Sequence, residues 1–279
     1  MEFEVVAPDT EISPWVCAGT HVAFDGPGVE PVRCQFPALI EGGLTLVLEG
    51  QFFAPTATGA LLALPAGFMS SARAQPLVLY RTPRLRCVGL RLHPAGTIGL
   101  LQASPTALPH QFADAAQVFG PAWAHLQERV HAAATTRQRL ALLMAFAGQR
   151  LRNELHRERV RRAWRLQHAA LRLASPQDAV GLATRQFERV FSDTFGLRPK
   201  LFQRVGRVES LLRDALATGR ADAGLALHHG YYDQSHMARD VRLMVGVPLR
   251  VLIQSVREQD TEHWALAVGT SRHAVRAGS

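Results

Sequence analysis

The stretch "GYYDQSHMARDVRLMVGVP", residues 230–248, decides how this 279-residue chain is read. It opens on Gly230 and two tyrosines and runs through the hydrogen-bonding side chains Asp233 to His236. It then turns apolar and closes on Gly246 and Pro248. An earlier stretch, "GLATRQFERVFSDTFGLRP" at residues 181–199, runs the same way. Phe187, Arg189 and Phe191 stand where Met237, Arg239 and Val241 stand in the later copy. Gly196 and Gly246 are helix-stopping residues, and Pro199 and Pro248 are helix-starting ones. The later copy has one more residue before its helix and one fewer after it.

Each copy fits a helix-turn-helix. In the second, "ADAGLALHHG" (Ala221–Gly230) predicts a short apolar helix with Leu225, Ala226 and His229 toward the core. Gly230 permits a tight turn of positive φ. Asp233 caps the next helix, and Gln234, Ser235, His236 and Arg239 project from its first two turns. Met237, Val241 and Met244 recur at helical spacing and bury the other side. A helix whose N-terminal face carries amides, hydroxyls and Arg is suited to reading base edges in a major groove. Between the copies, Pro199 begins a helix with Leu201, Val205, Val208, Leu212 and Ala215 as its apolar stripe. About 18 residues at about 1.5 Å each give about 27 Å, enough to hold two reading heads about one DNA turn apart.

Charge points to the same part of the chain. Residues 1–149 hold 9 Arg against 10 acidic residues, a net of −1, whereas residues 150–258 hold 20 basic against 11 acidic, a net of +9. A positive block of this kind suggests a polyanionic partner. The basic stretch "RLRNELHRERVRRAWRLQHAALRLA" (Arg150–Ala174) predicts a helix with Val160, Trp164 and Ala170–Leu171 as its stripe, leading into the first reading unit. After Ser255 the chain is small and polar, which predicts a frayed tail over residues 256–279.

Residues 1–150 read differently. "PVRCQFPALI", "LTLVLEGQFF", "GALLALPAG", "PLVLYRT" and "LRCVGLRLHP" are short apolar runs separated by Gly, Pro and Thr at intervals of about ten residues, the spacing of a sandwich or small barrel. From Pro121 the period becomes helical. Trp123, Leu126 and Val130 share one face, and Leu140, Leu143, Met144, Ala147 and Leu151 share another.

The stretch from Leu155 to Ser255 resembles the DNA-binding domain of the arabinose-regulator (AraC/XylS) family of bacterial transcription regulators. Its most specific part is "GYYDQSHMARDVRLMVGVP", similar to the family pattern of Gly, aromatic, Asp-Gln-Ser, apolar, Arg, apolar, Gly and Pro. The resemblance implies an α+β chain. Residues 1–150 would be a cupin-like β-barrel with a helical pair, and residues 151–255 an all-α domain of two helix-turn-helix units joined by a linker helix. "VGLRLHPAG" and "FGPAWAHLQERV" resemble a subgroup of the family's effector domains. The first reading helix would offer Thr184, Arg185, Glu188 and Arg189, and the second Gln234, Ser235, His236 and Arg239. Operator DNA, RNA polymerase, a small-molecule effector of unknown identity and a second copy of the chain are the partners the family implies. There are departures from the pattern. Only Pro176 to Val180 remain of the helix before the first reading helix, and Ala183 stands where the family prefers a capping Ser. A protein-binding adaptor that kept the fold and lost DNA reading is the alternative.

Other classes lack their signatures. There is no GxSxG, Walker A, GxGxxG after a strand, or HExxH, so no enzyme is expected. His228, His229 and His236 straddle a turn with no carboxylate or Cys partner, and only His21 and His93 fall in the barrel region. No metal and no cofactor are therefore expected. Cys17, Cys34 and Cys87 are odd in number and far apart, the pattern of buried thiols. No apolar run approaches the ~18 residues of a membrane span, and "MEFEVVAPDTE" has no basic n-region, so a cytoplasmic protein is expected.

Overall fold

The computed structural model describes residues 1–101, 112–152, 154–173, 175–258 and 260–263. Nine strands come first: β1 (Glu2–Val6), β2 (Val16–Asp25), β3 (Val32–Phe36), β4 (Gly42–Glu49), β5 (Phe52–Pro55), β6 (Leu61–Ala63), β7 (Gly67–Ser70), β8 (Leu77–Arg81) and β9 (Arg84–Leu92). Helix α1 (Pro94–Leu101) and strand β10 (Phe112–Asp114) follow, then α2 (Ala115–Phe119), α3 (Pro121–Ala132) and α4 (Thr136–Leu151). The C-terminal part is helical: α5 (Glu154–Arg172), α6 (Pro176–Ala179), α7 (Thr184–Phe195), α8 (Pro199–Thr218), α9 (Ala223–His228), α10 (Gln234–Val245) and α11 (Leu249–Arg257).

The strands form two antiparallel sheets, ordered β1-β2-β9-β4-β7-β10 and β3-β8-β5-β6. The α+β order is as expected, but among the described residues the cupin-like barrel is a pair of open sheets and no closed barrel forms. Turn spacing along a sequence sets strand lengths, whereas closure depends on which edges pair and with what stagger. The larger sheet is covered on both faces. Strand β9 sends Leu85 and Cys87 to the core between the sheets, and Val88, Leu90 and Leu92 to a second core under α1 to α4. Successive side chains point to opposite faces, so the doubly covered stretch 87–90 reads as an uninterrupted apolar run, CVGL, rather than an alternation.

The helical pair buries the residues its period predicts: Trp123, Leu126 and Val130 on α3, and Leu140, Leu143, Met144, Ala147 and Leu151 on α4. Thr135 and Gln138 close a reciprocal capping box at the start of α4. Gly67 lies flat against the Trp123 indole, leaving no room for a Cβ.

Helix α5 is rotated from the sequence expectation. It buries Val160, Ala163, Leu166, Ala169 and Ala170, while Trp164 and Leu171 are exposed and Trp164 stacks on His168 at 5.0 Å. A stripe of three- and four-residue steps from Val160 passes one position before Trp164, and small alanines allow closer packing against neighbouring helices than an indole would.

The third core belongs to α5 and to α7 through α11, and Ala38, Ile40, Ala95 and Ile98 of the N-terminal part join it. The segment from Gln35 to Glu41 makes the junction. Ala38 N–H donates to the Met244 carbonyl (2.7 Å), Gln35 Nε2 to the Val245 carbonyl (2.5 Å), and Ile40 N–H to the Glu209 carboxyl (3.2 Å). The first two satisfy carbonyls at the end of α10 that have no partner inside the helix. The start of the expected tail is also held here. Gln35 N–H donates to the Glu262 carbonyl (2.8 Å), Arg33 pairs with Glu262, and His263 is buried. A backbone hydrogen bond and an ion pair dock these residues, which a reading of side-chain polarity alone does not anticipate. Residues 264–279 lie outside the described residues.

Candidate nucleic-acid interface

The two reading units are built on the same local geometry. Gly181 and Gly230 both take positive φ, +67° and +70°, at the turn before the reading helix. Gly196 and Gly246 end the reading helices in the left-handed conformation. Helix α7 buries Phe187, Phe191 and Phe195, and α10 buries Met237, Val241, Met244 and Val245. The linker helix α8 runs 20 residues, about 30 Å at about 1.5 Å per residue. It buries Val205, Val208, Leu212 and Ala215 of the expected stripe, while Leu201 is only partly buried and Phe202 takes the fully buried place.

Every candidate reading residue stands on the outer face of its helix. Thr184, Arg185, Glu188 and Arg189 on α7 are exposed, as are Gln234, Ser235 and Arg239 on α10. His236 is half-buried with its ring edge-on to Tyr231 at 5.1 Å. Gln234 Nε2 donates to the Ala221 carbonyl (2.9 Å), and Arg239 Nε makes a long hydrogen bond to the Ser235 carbonyl one turn back (3.4 Å). Tyr232, next to the cap, is 88% exposed.

The two units differ in support. Asp233 accepts from His236 N–H at 2.6 Å and caps α10, whereas Ala183 gives α7 no side-chain cap. Helix α9 is capped by Asp222 and buries Leu225 and Ala226, with His229 beside Asp214 at 3.1 Å. Helix α6 has four residues and buries none.

Three supporting residues escaped the sequence reading. Asp240 is buried on the inner side of α10 and pairs with Arg204 of α8 at 2.7 Å. Glu209 is buried on α8 beside the apolar stripe, and Gln35 reaches from β3 to the end of α10. The available signal was an ionisable residue next to an apolar stripe: Asp240 three residues after Met237, and Glu209 directly after Val208.

A cavity of about 160 Å³ lies between the sheets. Phe36, Phe52, Phe68 and Phe112 line it with several aliphatic side chains, and its polar groups include Thr20, Ser70, Arg73, Arg91 and Glu41. Arg73 is buried, and its Nε donates to the Pro37 carbonyl at 2.9 Å. Burial lowers its pKa to about 10. Among the described residues no carboxylate lies within ion-pair distance of it.

Cys17, Glu41 and His93 bring one ligand atom each within 4.8 Å of one another, because a bulge between Val16 and Ala18 re-aims Cys17. The surroundings do not suit a cation. Arg91 binds Glu41 through two nitrogens (2.6 and 3.0 Å), and the charges of Arg91 and Arg213 both bear on His93. In the second cluster, Asp214 with His228 and His229, His228 is exposed, Asp214 is half-buried and His229 already faces Asp214. His236 stands apart from it, against Tyr231.

No family model and no curated protein matches the chain. Solved structures do. ToxT from Vibrio cholerae O395 is similar at 8% identity over 85% of this chain and 97% of that one, with a TM-score of 0.46. A second ToxT crystal form gives 6% identity over 85% and 98%, with a TM-score of 0.47. The AraC-like transcriptional activator CuxR gives 10% identity over 96% and 91%, with a TM-score of 0.24.

Proposed function

We propose that the chain is a sequence-specific, DNA-binding transcription regulator of the AraC type. The observation that supports it best is the pair of helix-turn-helix units in matched frames. Each turns on a glycine of positive φ and presents an exposed polar face, with a linker helix about 30 Å long between them. The net of +9 over residues 150–258 supplies the phosphate attraction. Thr184, Arg185, Glu188 and Arg189 are the candidates in one groove, and Gln234, Ser235, His236 and Arg239 in the next. Residues 1–150 form the regulatory unit in this reading, and residues 151–255 the reading unit.

The cavity between the sheets is the proposed effector site. A cavity of comparable volume holds a benzene-sized molecule. Aromatic walls and the buried Arg73 guanidinium suit a small apolar body with one anionic or acceptor group. A second copy of the chain and RNA polymerase are further proposed partners.

A gel-shift titration of the full chain on duplex DNA tests the reading. Neutralising about six phosphates gives a log–log salt slope near −5. Genome-wide mapping of bound sites then identifies the operator. Absence of binding at low salt would sink the proposal in favour of a protein-binding adaptor.

A further inference from the structure

We propose that Glu41 and Glu209 share one proton across the boundary between the β unit and the helical unit, forming a latch that holds the two together only while that proton is present. The proposal concerns the boundary itself and stands whether or not the reading helices bind DNA.

The geometry comes first. Glu41 precedes β4 and Glu209 lies in the middle of α8; the N–H of Ile40 donates to the Glu209 carboxyl at 3.2 Å and brings it up to that of Glu41, close enough for the two to share a hydrogen bond. Two carboxylates cannot do this; one must carry a hydrogen. Arg91 decides which. Its Nε and one terminal nitrogen both donate to a single oxygen of Glu41, which favours the ionised form there. Burial opposes that ionisation, but Arg91 outweighs it and holds Glu41 below the usual carboxylate range. Glu209 has no such partner. Burial, reinforced by the charge of Glu41, pushes it up to about 8, and among the described residues the cation within ion-pair distance, Arg213, is 3.8 Å away. The proton therefore sits on Glu209 at neutral pH and is donated to Glu41.

The surrounding groups leave this pair a clear window. Cys17 faces it from β2, Arg91 and His93 from β9 and the residue after it, Arg213 from α8, and Arg73 from the segment after β7. Burial holds His93 below its ordinary 6.5, so it is neutral above about pH 7. Burial raises Cys17 well above 9.0, so it remains a thiol to about pH 9. The arginines keep their charge throughout. Between those limits the acid pair alone changes charge among these groups.

The sign follows from linkage. The folded value of Glu209 is raised above its ordinary 4.5, so its contribution is fully present below that value and is lost as pH rises through about 8. Above that, two buried carboxylates repel across the boundary. The Gln35–Glu41 segment would then lose its place on α8. That segment also supplies the donors from Ile40 to Glu209 and from Gln35 and Ala38 to the end of α10.

Hydrogen exchange on the full-length chain tests this, following peptides covering 35–41 and the end of α10 from pH 7 to 9 and correcting for the intrinsic pH dependence of exchange. In the wild type, opening should rise up to tenfold per pH unit from pH 7 to about 8 and level off above it. Glu209→Gln keeps the hydrogen bond to Glu41 and cannot ionise, so its corrected exchange should stay flat. Glu41→Gln removes the like charge that helps to raise Glu209, so its opening should level off at a lower pH than in the wild type. It serves as the second variant should Glu209→Gln fold poorly. A flat wild-type profile, or the same rise persisting in a folded variant, would overturn the latch.

Discussion

Arg204 donates to Asp240 across 2.7 Å, tying the linker helix α8 to the inner side of the second reading helix α10. Asp240 is almost fully enclosed, while Arg204 is nearly half exposed. The buried partner therefore depends on the exposed one for the stabilisation of its charge. Tyr231 packs nearby under Arg207, and burial together with the Asp240 charge pushes its hydroxyl up to about 12.

Asp240→Ala should destabilise the chain by about 2 kcal/mol, the range of a hydrogen bond to a charged group. Asp240→Asn, which keeps an acceptor, should cost less. Urea unfolding of the three proteins at pH 7 measures both. Equal midpoints for all three would show that the pair does not hold α10 in place.

Arg239 and Arg185 should divide the work of binding. Arg239 stands on the capped, better supported helix, and among the described residues its side chain makes one long hydrogen bond, to the Ser235 carbonyl. Arg239→Ala should cost about 1–3 kcal/mol on the preferred site if it meets a base, and less on random DNA. Arg185→Ala or Arg189→Ala should weaken both DNAs evenly, as a lost phosphate contact does. Paired binding curves with a melting curve for each variant separate the roles. Lost specificity in Arg185→Ala, with parental binding in Arg239→Ala, would reverse the assignment.

Helix α7 begins at Ala183 with extended backbone and no side chain to accept from its first amides. That conformation is the one a capping residue adopts, so Ala183→Asp or Ala183→Ser needs no rearrangement. Either should stabilise the chain by about 1 kcal/mol. The mirror change, Asp233→Ala on α10, should destabilise by a similar amount. Thermal melts of the substitutions give the signs, and a loss of stability in Ala183→Ser would contradict the cap geometry.

What the sequence disclosed follows from the range of each interaction. The turn glycines, caps and apolar stripes of α3, α4, α7 and α10 are local, and the period of the chain displays them. Glu188, Arg189 and Arg239 could be placed on outer faces for the same reason. The stripe of α5 was misplaced because a large Trp164 outweighs small alanines when side chains are ranked by hydrophobicity, although alanines pack closest between helices. Open sheets instead of a barrel, and the approach of Glu41 to Glu209 or Gln35 to Val245, depend on partners far away in the chain. No local pattern encodes them.

Two neighbouring residues on β3 offer a direct contrast in what burial is worth. Arg33 forms an ion pair with Glu262, and both side chains are more than a third exposed. Such pairs contribute about 0–1 kcal/mol. Gln35 is enclosed and is the side-chain donor to the Val245 carbonyl, which would otherwise stay buried at the end of α10. Removing it leaves a desolvated acceptor unpaired, at a cost of about 1–3 kcal/mol. Gln35→Ala should therefore destabilise the chain clearly more than Arg33→Ala, and only the Arg33→Ala effect should fade in high salt. Guanidine, itself a salt, would blur that comparison, so urea unfolding at low and high sodium chloride is the suitable measurement. Equal costs for the two substitutions, or a salt-sensitive loss in Gln35→Ala, would mean that β3 meets the reading unit through charge rather than through the carbonyls at the end of α10.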